Sequence, residues 1–456
     1  MEINDIMLGR VRPLESPIRA TLRSLLKSRE QPDGITVVPG DDAYVERILD
    51  LPLSFELYRN LEGLARHLGV TRGFRQVIDT FQVAHGQTPP GFRIEFVVAE
   101  DAELKADLVR DIGYDKNGQK RPTTVLFSAD SANPYEIAPI AGMLANLTCN
   151  PGIIYDLFIN NPKANVGKKF KTRDEVMQEL GRILGPGVDI SVELNNPFEA
   201  SEQKILEEAE KFREMLTPYR VVIKVPHTGP VNADNVQELL TGDKKFRRRF
   251  DAGTTADMLR GHNLALLLRD HGFRVNFTLM FEPYQAALAL QAKPYFINSF
   301  VRHRLMQTGA MAALLEKHQA TGDAQHLERL RELMVVNDYV PPDDKELDLA
   351  QVREMAARIV RYRQYRADGY DGLDAARHNL RLLKRTNLPD TRLIICSMEG
   401  ETMYPDIDDM LCEEEFADVA DRVVITAEPG YLAKFTSTNQ VVSYQRRFMN
   451  AANGQQ

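Results

Sequence analysis

The chain has 456 residues, with 57 Lys and Arg against 65 Asp and Glu and a formal net charge of −8. That balance suits a soluble cytoplasmic protein and speaks against a nucleic-acid partner. No apolar run approaches the ~20 residues of a membrane span. The opening Met1-Glu2-Ile3-Asn4-Asp5 lacks the basic-then-apolar pattern of a signal peptide. Cys149, Cys396 and Cys412 have no metal-binding spacing, so reduced thiols are expected.

Residues 1–118 read as a small α+β extension. Ser54 to His67 and Thr71 to Val83 have helical patterns, and Phe92 to Val98 reads as a strand. Strand-like runs then follow at Thr124–Asp130, Leu147–Asn150, Asp189–Leu194, Val221–Pro226, Arg274–Met280, Tyr295–Val301, Arg392–Met398 and Arg422–Ala427. Helical patterns separate several of them, at Tyr135–Met143, Pro197–Leu216, Met258–Asp270 and Tyr284–Ala292. Eight strands alternating with helices predict an α/β fold, an eight-stranded parallel (β/α)8 TIM barrel over 119–436. An open doubly wound sheet is the runner-up, but it has neither a Gly-x-Gly-x-x-Gly fingerprint nor a P-loop to support it. Two insertions interrupt the barrel, near 230–254 and 303–387. The first carries the basic run Lys244 to Arg249, read as a solvated helix face. The second is charged and mostly helical, for example over Asp323–Val335 and Leu349–Arg366. The tail, 437–456, reads as loosely ordered.

The chemistry centres on Val221-Val222-Ile223-Lys224-Val225-Pro226. A lysine inside a buried apolar strand is costly, and burial pushes it toward the neutral amine that attacks carbonyls. The bland reading is an edge-strand lysine that discourages aggregation. In a barrel, chemistry collects at the strand C-terminal ends. Those ends carry Asp130, Asn150, Glu193 and Lys224, then Asn276 and Thr278 on one face of a strand. Each has a dull explanation alone, such as a helix cap at Asp130 or a turn at Asn150-Pro151. Together they describe a polar ring around Lys224.

Several segments resemble the transaldolase family, including its fructose-6-phosphate aldolase relatives. They are Ala129-Asp130-Ser131-Ala132, Thr148-Cys149-Asn150-Pro151, Ser191-Val192-Glu193, Val222 to Thr228, Val275 to Phe281, Gln285-Ala286 and Ser299-Phe300-Val301. The resemblance implies class I aldol chemistry with no metal and no cofactor, on a sugar or sugar-phosphate carbonyl substrate, in a protein that is a possible homo-oligomer. Lys224 would form the Schiff base and Asp130 would handle the substrate hydroxyl. Glu193 and Thr278 would hold the water used in imine formation. Asn150 and Asn276 would bind the hydroxyls of the three-carbon unit. Asn298, Ser299, Arg302, His303 and Arg304 would line the rest of the substrate site.

The pattern departs from the family where a substrate phosphate should sit. The family's Ser-Pro-Phe-Val-Gly-Arg is here Asn298-Ser299-Phe300-Val301-Arg302-His303, and the seventh-strand loop reads Ser397-Met398-Glu399-Gly400-Glu401 where the family has an arginine. Phosphate binding by guanidinium is poorly replaced by such groups. The expected function is thus aldol cleavage or transfer of a ketol unit, with ordinary pentose-phosphate chemistry disfavoured. A silent scaffold and a Schiff-base lyase acting on a keto acid are the alternatives.

Overall fold

In the computed structural model the eight expected runs pair in parallel and close on themselves. They are β1 (Leu126–Asp130), β2 (Leu144–Cys149), β3 (Asp189–Glu193), β4 (Arg220–Pro226), β5 (Val275–Thr278), β6 (Phe296–Phe300), β7 (Arg392–Cys396) and β8 (Val423–Ala427). Each strand pairs with its sequence neighbours, and β8 returns to β1, the fold being a (β/α)8 barrel. The structure describes residues 20–27, 35–53, 55–81, 84–86, 88–89, 92–98, 102–115, 120–185, 187–216, 220–344, 347–364 and 369–454.

Helices cover the outer faces of the strands while side chains fill the inside, so β2 and β8 are buried along their whole length. The helix Glu202–Met215 starts where Ser201 Oγ accepts from Lys204 N, and it buries Ile205, Ala209 and Phe212. The helix Arg260–Asp270 returns the chain from β4 to β5 and approaches the end of the lysine strand closely. A Cβ on Gly261 would lie 2.3 Å from the Pro226 carbonyl oxygen, so only glycine fits there.

The chain divides into two compact units, one of 1–121 with 185–188 and 217–219, the other holding the barrel. The first has a four-stranded sheet ordered Thr36–Val37, His67–Val70, Glu103–Arg110, Phe92–Val98, with only the last pair antiparallel. Leu61, Leu68, Phe74 and Leu104 pack in its own core. The helix expected to run to His67 ends at Leu64, because His67 begins a strand.

Both barrel insertions differ in detail from expectation. The basic run 244–249 is irregular backbone and not a helix face. Lys245 pairs with Asp338, Arg247 with Asp243 and Asp343, and Arg249 with Asp251. The second insertion holds helices Arg302–Thr321, Gln325–Val336 and Leu349–Gln364, packed around Met311, Leu330, Met334 and Val352. The tail is not loosely ordered over Asn439–Ala452. It is an exposed helix, rich in helix-forming Gln, Arg, Met and Ala. Among the described residues no helix is long and apolar enough to cross a membrane.

Gly261→Ala is expected to destabilise the protein by about 1–3 kcal/mol, the usual cost of overpacking against backbone. Urea unfolding measures this, and an unchanged midpoint would show that the helix shifts freely away from Pro226.

Candidate active site

Lys224 lies in the middle of the sheet with 5 % of its surface exposed. Its neighbours across the sheet are Glu193 on β3 and Asn276 on β5. The Lys224 Nζ stands 3.5 Å from Glu193 Oε2. Asp130 ends β1, and its Oδ1 accepts a 2.8 Å hydrogen bond from Thr148 Oγ1 on β2. Asp130, Thr148, Asn150 and Lys224 open onto one cavity of about 590 Å³ at the strand C-terminal ends.

Burial by itself lowers the proton affinity of Lys224. The carboxylates of Glu193 and Asp130 outweigh it, however, and hold the ammonium above the ordinary lysine range. The sequence expectation of a lysine neutralised by burial is therefore corrected: two anions surround the cation. Burial also raises the Glu193 carboxyl above its usual value, against the opposing pull of Lys224. A carboxylate with raised proton affinity beside a lysine is a suitable acceptor for the proton that Lys224 must lose before it attacks.

The polar residues of the barrel interior fall into two groups. Beneath the lysine they satisfy one another: Asn146 Nδ2 donates to Ser128 Oγ at 3.0 Å, and Ser191 Oγ donates to Asn146 Oδ1 at 3.2 Å. Elsewhere inside the barrel, Asn276 Nδ2, Thr278 Oγ1 and Thr426 Oγ1 are buried with no hydrogen-bond partner among the described residues. Such orphans are uncommon in folded proteins and mark places built for something else to bind. Asn298 donates to Asn276 Oδ1 at 2.6 Å and so orients that amide. Asn150 spends its Oδ1 on Ile153 N, which leaves its amide nitrogen for a ligand.

Two expected site residues are not brought in. Ser299 follows the inward-facing Asn298 and so points to the other side of β6, where its Oγ accepts from Asn379 at 2.8 Å. Arg304 lies within the first turns of its helix and turns away from the cavity. It is held between Asp374, whose Oδ1 accepts from Nε at 2.7 Å, and Glu282. Glu282 also receives Arg363 from the helix Leu349–Gln364. The loop carrying Glu282 is fixed by Gln285, whose Oε1 accepts from Phe281 N and Glu282 N.

Arg302 and His303 do line the cavity mouth. Arg302 pairs with Glu399 at 3.4 Å. Burial, with Arg302 nearby, holds His303 below the usual histidine range, so it is neutral near pH 7. The cavity is also lined by residues not assigned to the site from sequence: Cys396, Ser397, Thr426, Glu428, Tyr431 and Lys434. Ser397 has a left-handed backbone, φ 59°, and Leu279 after β5 has φ 56°, two strained non-glycine positions next to the strand ends. Strand parity was the available signal for Thr426, since it is two residues from Val424 on the inward face of β8.

Glu193→Gln removes one of the anions that raise Lys224, so the lysine should lose its proton at lower pH. The rate of imine formation, followed by borohydride trapping, should then rise with pH along a limb displaced to lower pH than in the unaltered protein. Its value at the plateau should fall by about a hundredfold, the scale of one general acid–base group. A limb displaced upward would show that Glu193 does not govern Lys224.

No curated protein matches the chain. Residues 127–334 match a family model described as Transaldolase/Fructose-6-phosphate aldolase. The matched segment carries β1 to β6, with Asp130, Glu193, Lys224, Asn276 and Thr278; β7 and β8 lie beyond it. Over these residues the barrel is similar to the transaldolase/fructose-6-phosphate aldolase family.

Proposed function

We propose that the protein is a Schiff-base enzyme that cleaves or transfers a ketol unit between a ketose-like donor and an aldehyde acceptor. The observation that carries this reading is Lys224, buried 3.5 Å from Glu193 on a cavity that also exposes Asp130. Glu193 takes a proton from the ammonium, and the amine attacks the donor ketone. The carbinolamine loses its hydroxyl as water, with Glu193 returning the proton, and an iminium remains. Asp130 then removes the proton of the hydroxyl on the far carbon of the bond to be broken, the carbon that becomes the aldehyde. That C–C bond breaks, an aldehyde departs, and its electron pair enters the iminium to give an enamine. Addition to a second aldehyde is transfer, whereas protonation and hydrolysis release the ketone. Thr278 would hold the water of the imine steps, and Asn150 and Asn276 would bind donor hydroxyls through their uncommitted amide nitrogens.

Incubation with fructose, fructose 6-phosphate, dihydroxyacetone and hydroxyacetone, followed by borohydride, should leave an adduct on Lys224 visible by mass spectrometry. Lys224→Arg should abolish both adduct and turnover with folding intact, and an adduct in that variant sinks the assignment. Asp130→Asn should still form the imine but fail to break the C–C bond. If it fails to form the imine, the two carboxylate roles are exchanged. A protein that traps no ketone would be a binding or scaffold barrel.

The rim sets the expectation for phosphorylated donors. Arg304 is spent on Glu282 and Asp374, Arg302 pairs with Glu399, and His303 is neutral. A dianion meets no free guanidinium among these three and meets the Glu399 carboxylate. Fructose 6-phosphate should therefore react at least about tenfold less efficiently than the best donor, or about 1.4 kcal/mol in transition-state binding. Steady-state kinetics decides. Efficient reaction of fructose 6-phosphate with erythrose 4-phosphate would overturn this account of the rim.

A further inference from the structure

We infer that Thr426 is a positioning residue that hydrogen-bonds the hydroxyl on the non-reacting end of the ketol donor. The inference rests on the Schiff-base reading above. Thr426 lies outside the residues matched by the family model. It is 2 % exposed, it lines the same cavity as Lys224 and Asp130, and its Oγ1 has no hydrogen-bond partner among the described residues. A buried hydroxyl with no partner costs the folded protein about 1–3 kcal/mol in unpaired desolvation. Valine would fill the same space without that cost.

Position shows which part of a donor it meets. In the closed order of strands, β8 lies four strands from β4, so Thr426 faces Lys224 across the barrel. Its sheet neighbour on β1 is Ser128, two residues below Asp130 on the same inward face. A ketose tethered to Lys224 must direct the half that leaves as aldehyde past Asp130 to the mouth. The other end, the hydroxymethyl group that keeps all its bonds, then points down into the barrel toward Thr426. The neighbouring groups are already engaged. Ser128 accepts from Asn146, and Cys396 Sγ lies 3.4 Å from the Ser299 carbonyl. Thr426 is thus able both to donate to and to accept from a substrate hydroxyl.

Dihydroxyacetone and hydroxyacetone differ by that hydroxyl alone and provide the test. In the unaltered protein, with glyceraldehyde supplied as the aldehyde acceptor, the kcat/KM ratio should favour dihydroxyacetone. Thr426→Val should lower this ratio at least tenfold, mostly through the KM for dihydroxyacetone, and should leave hydroxyacetone turnover nearly unchanged. The melting temperature should stay level or rise. Thr426→Ser should restore the preference, and Thr426→Ala should repeat the loss should the valine variant fold poorly. An unchanged ratio in the valine and alanine variants overturns the inference. So does an equal loss for both ketones accompanied by a lower melting temperature, which would make the hydroxyl structural. If the unaltered protein forms a Lys224 adduct yet the ratio does not respond, only this inference falls. If it forms no adduct with either ketone, the Schiff-base reading falls with it.

Discussion

The organising constraint is the charge of Lys224. A cation in a closed parallel sheet, with only its tip reaching a cavity, is poorly solvated, and the cost of burying it unpaired would rival the stability of most domains. The sheet register supplies the answer, placing Glu193 directly across from Lys224 on β3 and Asp130 two strands further round on β1. These two anions keep the protein folded around the lysine. They are also the groups through which protons enter and leave the reaction. The structural requirement and the chemical one are met by the same side chains, which is why removing either anion should alter the lysine's protonation as well as turnover.

Around this centre the barrel separates residues that complete one another from residues left incomplete. Ser128, Asn146 and Ser191 form a closed chain of hydrogen bonds beneath the site. Asn276, Thr278 and Thr426 keep polar atoms in reserve. Folding stability argues for the first arrangement and substrate binding for the second. The strained backbones at Leu279 and Ser397, just past the ends of β5 and β7, belong to the same compromise.

Much of this was legible in the sequence because buried parallel strands advertise themselves. Lys224 stood out since every residue around it is apolar, and Asn276 and Thr278 stood out by their two-residue spacing. The errors have equally local causes. The sequence pattern places both Asn298 and Ser299 at the substrate, yet adjacent strand residues face opposite ways. Arg304 groups with Arg302 and His303 by sequence, but a helix starts at Arg302, and two steps along a helix turn a side chain about 200° away. Its true partners, Glu282 and Asp374, are 22 and 70 residues distant in the chain, and pairings of that kind leave no local signal. Thr426 carries no sequence signal beyond strand parity, because a threonine within Val-Val-Ile-Thr-Ala is an ordinary strand residue and only barrel closure brings its strand opposite the lysine.

The Glu282 carboxylate ties four distant stretches of chain into one buried knot: its own loop after β5, Arg304, Arg363 and, through Arg304, Asp374. This bears on which changes the protein tolerates. Exposed positions on the outer surface of the helices 302–364 can vary freely. Arg304 and Arg363 cannot be lost singly, because either change leaves a largely buried Glu282 short of a counter-charge while the covering helices still shield it from water, at a cost of several kcal/mol. The knot behaves as one unit, so a change to either arginine is tolerated only when Glu282 is replaced with it.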